Sequence, residues 1–161
     1  MPALPTIREA AEADLPQLVA LLAQLAPDVP EREDASSPLP YEYHLVLRQI
    51  IETPGQHIFV LEERGKIVGT AALSVIPNVS HRGTPYATIE NVVVDAKVRS
   101  KGYGELLMHH AIEEARRAGC YKVALTSNKR REDAHRFYER LGFRRTHEAF
   151  RLDLDAPEPR T

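Results

Sequence analysis

Apolar residues recur along this chain with two different periods, and the switches between them divide it into strands and helices. Residues 6–10 form a short first strand. Asp14 can cap a helix in which Leu15, Leu18, Val19, Leu22 and Leu25 fall on one stripe. Pro16 is tolerated in the first turn, and Pro27 and Pro30 end the helix. Residues 41–53 predict a second helix with Leu45, Ile50 and Ile51 facing inward, stopped by Pro54-Gly55. Residues 57–63 and 66–76 read as strands joined in a hairpin by Arg64-Gly65. A loop at 78–85 carries His81, Arg82 and Gly83.

The pattern then tightens. Residues 89–95 include Val92, Val93 and Val94 in a row, as in a strand buried on both faces. Arg99, Gly102 and Gly104 follow at R-x-x-G-x-G spacing. Leu107, Met108, Ala111, Ala115 and Ala118 make one helical stripe, closed by Arg116, Arg117 and Gly119. Residues 121–127 predict a strand. Residues 132–141 predict a helix, with Ala134, Phe137, Tyr138 and Leu141 on one side and Gly142 as its cap. Residues 143–152 predict the last strand, and 156–161 a loose polar tail. The order is β-α-α-β-β-β-α-β-α-β. Antiparallel strands come first, then two strands joined through a helix, which should be parallel neighbours. That describes a mixed α/β fold around one sheet, in a single domain over residues 1–161.

Composition narrows the function. The hydrophobic fraction of 43% and charged fraction of 27% are globular values. A net charge of −2 offers no nucleic-acid or anionic-membrane footprint. The single cysteine, Cys120, excludes an internal disulfide and a cysteine metal cluster, and reads as a small packed residue. No apolar run approaches the ~20 residues of a membrane span, and no leader pattern opens the chain, so a cytoplasmic protein is expected. Residues 26–40 are acidic and proline-rich, with Asp28, Glu31, Glu33 and Asp34. They read as a solvated loop or as one that attracts a cationic amine.

The glycine turn has a chemical use. The first amides of a helix lack intrahelical partners, and the helix dipole adds positive character there. Glycines let an anion approach those amides, and a phosphate or pyrophosphate is the expected ligand. Arg99 and Lys101 add charge to the same turn. The pattern is neither a Walker loop nor a dinucleotide fingerprint, because the lysine-hydroxyl pair and the third glycine are missing.

Downstream, NKRREDAHRFYERLGF at 128–143 joins VDAKVRSKGYG at 94–104. In this order and at this distance, the two stretches resemble the GCN5-related N-acetyltransferase family, over roughly residues 58–152. The resemblance implies an acyl-CoA N-acyltransferase fold, with a central mixed sheet of six to seven strands flanked by about four helices. It also implies transfer of acetyl from acetyl-CoA to an amine, with the thioester arm lying between two splayed parallel strands. The family's motif then assigns the oxyanion to the Val94 amide and places the pantetheine arm along Val92 and Val93. It assigns the pyrophosphate to the amides of Arg99, Ser100, Lys101, Gly102, Tyr103, Gly104 and Glu105. Asn128 corresponds to a CoA contact. Arg131 stands where many members carry a second asparagine, and Ser100 where a glycine is frequent.

Tyr138 is the candidate general acid for the departing thiolate, since a phenol with a pKa near ~10 stays protonated at neutral pH. It equally fits the apolar stripe of its helix. Glu90 is the candidate general base. Residues 90, 92 and 94 share one face if their strand is regular, and a bulge would change that. Four residues of strand span roughly 13 Å, so a water chain is the natural link from Glu90 to an amine beside Val94. A carboxylate paired at the sheet rim is the other reading. His81, His109, His110 and His135 are further titratable groups. The run NKRREDAHRFY also resembles bacterial aminoalkylphosphonate acetyltransferases, implying a small aminophosphonate acceptor and a divalent metal, for which the sequence assigns no ligands. A peptide-amine acetyltransferase and a non-catalytic acyl-CoA sensor are the alternatives. Edge strands could pair two copies into a homodimer.

Overall fold

The computed structural model describes residues 4–27 and 32–154. The chain forms two compact units, Met1–Leu125 and Thr126–Thr161. The expectations on Asp28, Pro30, Glu31 and the tail at 156–161 lie outside the described residues.

The first unit holds one five-stranded sheet in the order β1 (Thr6–Glu9), β2 (Gln56–Glu63), β3 (Lys66–Ile76), β4 (Tyr86–Val94) and β5 (Val123–Ala124). Strands β1 to β4 are antiparallel, and β4 pairs β5 in parallel. The β2–β3 hairpin turns on Arg64 and Gly65, at φ 53° and 77°. Two successive left-handed residues match the right-handed twist of the strands they join.

Helices cover both faces. Leu15, Leu18 and Leu21 of α1 (Leu15–Leu22) and Leu47 of α2 (Tyr41–Glu52) join Val60 and Val93 in one buried cluster. On the opposite face lies α4 (Tyr103–Arg117), where Leu107, Met108, Ala111 and Ala115 are fully buried. Gly69 permits this close approach, because a Cβ there would stand 2.9 Å from Leu107 Cδ1. A single turn, α3 (Ser80–Gly83), lies between β3 and β4, and its His81 and Arg82 are left-handed. The second unit contains α5 (Glu132–Arg140).

Several expectations need correction. The last strand does not form: among the described residues, 143–154 have no ladder partner, and the sheet has five strands rather than six or seven. Strand β5 is two residues long, not seven. The inward stripe of α2 is Tyr43, Leu47 and Ile50, whereas Leu45 and Ile51 are 49% and 58% exposed. Position 45 is two residues from Leu47 and falls off its face, whereas Ile51 is one turn on from Leu47 but lies in the last turn of the helix, where it is exposed. Helix α1 tightens into a 3-10 turn at Ala23–Leu25 before the prolines are reached.

Candidate functional site

The core strand carries the first feature of the site. Thr70 opposes Val93 and Ala72 opposes Glu90, so β4 spends one more residue than β3 on this step. The extra residue is at Asn91, whose φ is 53°. Asparagine reaches the left-handed region at lower cost than the β-branched residues around it. The bulge reverses the alternation. Leu73↔Ile89 and Gly69↔Val94 are same-face pairs on the α4 side, whereas Ala72↔Glu90 and Thr70↔Val93 lie on the α1 side. Glu90 therefore does not share a face with Val92 and Val94. It sits exposed on the side of Val93, and Asn91 is exposed beside it.

The second feature is a gap. Strand β5 pairs with β4 only at Ala87↔Val123 and Thr88↔Ala124, reinforced by Ala87 N–H to the Lys122 carbonyl (3.0 Å) and Tyr121 N–H to the Pro85 carbonyl (3.0 Å). Among the described residues, no strand pairs with β4 beyond Thr88 on that flank. Main-chain groups of a bulged strand open on one side can hold an extended ligand as an added strand would.

At the open end of β4 stands the glycine turn. Ala96–Val98 is a 3-10 turn capped by Asp95, whose carboxylate accepts from the Lys97 amide at 3.1 Å. Arg99 Nε donates to the Val94 carbonyl at 3.3 Å. Ser100 and Gly102 are left-handed, at φ 71° and 79°. Gly102 is the N-cap of α4 and offers no side chain to its amides, so the first turn of a 15-residue helix presents them without a capping group. Gly104 lies inside that turn, and Glu105 is exposed on it. Lys101 does not extend freely toward solvent: its ammonium approaches both Glu63 oxygens at 3.4 Å.

Other candidates fall away from this end. His81 stacks on Tyr121 with ring centroids 3.9 Å apart, and the Lys122 ammonium lies over Tyr121 and Tyr86. These residues flank the beginning of β4 and β5, opposite the glycine turn. His110 packs edge-on against Phe59, and His109 approaches Glu105 at 3.4 Å. Cys120 is half-buried, and that burial raises its thiol pKa, which keeps it protonated. In the described part of the acidic loop, Glu33 accepts from the Tyr43 hydroxyl at 2.9 Å.

In the second unit, Asn128 shapes its own loop. Its Oδ1 accepts from the Arg130 amide at 2.9 Å, and its carbonyl accepts from the Arg131 amide at 2.9 Å and lies 2.9 Å from His135 Nε2. Arg131 is the N-cap residue of α5, on an open concavity of mixed charge that it lines with Arg130, Glu132, Asp133, Ala134 and Arg136. Tyr138 is half-buried between Phe137 and Phe143, with centroids at 5.3 and 6.1 Å. Burial pushes its phenol pKa up, against a smaller downward pull from Arg131. The Ser127 hydroxyl is shielded and has no hydrogen-bond partner among the described residues.

A sheet half-opened between two parallel strands, bulged beside the gap and closed at one end by an uncapped helix, defines an acyl-CoA N-acyltransferase fold. Residues 18–143 match the model of the Acetyltransferase (GNAT) family, and the chain belongs to that family. A glucosamine 6-phosphate N-acetyltransferase of Trypanosoma brucei brucei is 41% identical over 60% of this chain and 64% of its own length. The aminoalkylphosphonate N-acetyltransferase of Salmonella typhimurium (strain LT2) is 34% identical over 60% of this chain and 62% of its own. The aligned stretch thus falls short of two thirds of either enzyme. Among solved structures, a putative acetyltransferase from Agrobacterium tumefaciens str. C58 superposes with a TM-score of 0.81 at 38% identity, covering 92% of this chain and 99% of that one.

Asn91, Glu63 and Gln24 escaped the sequence reading. An asparagine amid β-branched residues signals a bulge. Glu63 and Gln24 carry no local signal, because their partners are 38 or more positions away.

Proposed function

We propose that this protein transfers acetyl from acetyl-CoA directly to the primary amine of a small molecule. The observation that carries the reading is the interrupted pairing of β4 with β5, with the bulge at Asn91 alongside. In this reading the two units form one acetyltransferase domain, which the family match across residues 18–143 supports. The CoA diphosphate meets the amides of residues 99–105, and the pantetheine arm lies along Val92 to Val94. Asn128 and Arg131 contact the CoA arm.

The neutral amine attacks the thioester carbonyl, and the oxygen that gains charge is met by the Val94 amide. The carbon–sulfur bond breaks, and the thiolate takes the Tyr138 proton. The ammonium formed on the acceptor loses its proton through water to Glu90. The bulge turns Glu90 away from the Val94 face, which favours relay over direct contact. No cysteine has the thiolate character of a covalent intermediate, which supports direct transfer.

Two relatives are named for acceptors that join an amine to a phosphate or phosphonate. A small phosphorylated or phosphonylated amine is accordingly the acceptor we propose. A peptide amine is the second reading. It is favoured by a 30% identity to N-alpha-acetyltransferase MAK3 of Arabidopsis thaliana over 94% of this chain and 77% of that protein. We propose a cytoplasmic location and a homodimer, and the dimer is supported by Phe150, Leu152 and Leu154, which alternate and are 92%, 83% and 91% exposed.

A panel of amines scored by CoA release separates these readings. Release with glucosamine 6-phosphate or 2-aminoethylphosphonate supports the small acceptor, and release with peptide amino termini alone replaces it. Acetyl-CoA binding without release by any amine would leave a sensor.

A further inference from the structure

The strained turn before α4 raises the question of what holds its shape. Ser100 is a non-glycine residue in the left-handed region, a strained conformation that persists only where the surroundings enforce it. Residues 99–102 are exposed, and Gly102 has no side chain to fasten the helix start. The fastening comes from elsewhere in the first unit. Gln24, at the end of the first helix, accepts from the Ala96 amide at 3.0 Å and so ties the beginning of the turn. Glu63, the last residue of β2, ties its end. The Tyr103 hydroxyl donates a short hydrogen bond to Glu63 Oε1, and the Lys101 ammonium meets both oxygens of the same carboxylate. Tyr103 is only 7% exposed, and Lys101 folds over its ring at 5.6 Å. Positions 101 and 103, on either side of the helix cap, are thus joined to one acid held in the sheet.

We propose that Glu63 is a positioning residue for diphosphate binding: through Lys101 and Tyr103 it fixes the turn whose amides receive the CoA diphosphate. The inference rests on the acetyl-CoA reading above. A carboxylate close to a diphosphate subsite would by itself repel the ligand. Here the Tyr103 hydroxyl and the Lys101 ammonium hold it below the usual carboxylate range, so at neutral pH its charge is committed to these two donors. Its role is to set the geometry of the amides, and the ligand gains from amides already in place.

The test compares CoA with pantetheine, which lacks the diphosphate, by titration calorimetry. Loss of the charged hydrogen bond in Glu63→Ala is expected to weaken CoA binding about tenfold while pantetheine binding stays within about twofold. Glu63→Gln keeps an acceptor for the Tyr103 hydroxyl and should recover much of the loss. Tyr103→Phe should weaken CoA as Glu63→Ala does, and the double variant should add little to either. If Glu63→Ala proves unstable, Tyr103→Phe carries the same comparison. CoA affinity unchanged or tighter in both single variants, or CoA and pantetheine weakened alike, overturns the proposal. Wild-type protein that binds neither CoA nor pantetheine sinks the acetyl-CoA reading itself, a result distinct from those.

Discussion

The Arg8 guanidinium holds two carboxylates at once. It meets Asp14 through two nitrogens, at 2.7 and 2.9 Å, and Glu62 at 2.9 Å, while the Ala11 amide donates to Asp14 at 2.7 Å. Asp14 is nearly buried, and Arg8 holds its carboxyl below the usual carboxylate range, with burial opposing and the Ala11 amide assisting. A lowered folded pKa means stabilisation that is present above the unfolded value, near ~3.9, and lost as pH falls through the folded one. Arg8→Ala should therefore cost about 2 kcal/mol at neutral pH, because it leaves the buried Asp14 carboxylate without its cation. Melting curves between pH 7 and about 2 should show a flatter acid dependence in the variant. Tyr138 presents the opposite sign: burial raises its pKa, so the phenol is protonated throughout the neutral range. Tyr138→Phe should lower turnover by about 10² or more while CoA affinity is retained, since general acid catalysis is worth that much. Unchanged turnover would remove the assigned acid.

Elements add what single residues lack. The bulge in β4 depends on one left-handed position, and the residue there decides whether it is tolerated. Asn91→Val should cost about 1–2 kcal/mol, because a β-branched side chain is strained at positive φ. Asn91→Gly should be close to neutral in thermal melting. If Asn91→Val melts like the wild type, the bulge is not held by local conformation. At the far end of the same strand, Gly102 caps α4 in a left-handed conformation with open space around the missing Cβ. Strain rather than crowding is then the cost of Gly102→Ala, about 1 kcal/mol, expressed as weaker CoA binding in the calorimetric titration.

For the molecule as a whole, the apolar residues to account for are Phe150, Leu152 and Leu154. An alternating run exposed as Phe150, Leu152 and Leu154 is suited to strand pairing with another edge. In the homodimer we propose, light scattering should report twice the chain mass of 18.1 kDa, and Phe150→Glu should shift the population toward monomer. A wild-type monomer at all concentrations would count against the dimer. Among the described residues no helix is long and apolar enough to cross a membrane.

The sequence by itself determined the order of elements from β1 to α5 apart from the single turn α3, the hairpin at Arg64-Gly65, the strand–turn–helix at the centre and the family. These rest on local signals: periodicity, glycine placement and two motifs that read within a few residues of themselves. Most of the α1 and α4 stripes was legible because helical spacing shows which residues face inward, although Leu21 is buried in place of Leu22 and Ala118 is exposed beyond the end of α4. The α2 stripe was misread because apolar residues lie on more than one side of that helix, and only packing chose Leu47. The tertiary structure alone decided how far β5 follows β4, where β4 bulges and on which face Glu90 lies. It also decided that an acid at the end of β2 secures the turn before α4. Each of these depends on residues far apart in the chain meeting across a sheet, and strand register is fixed by the partner strand, not by the strand's own composition.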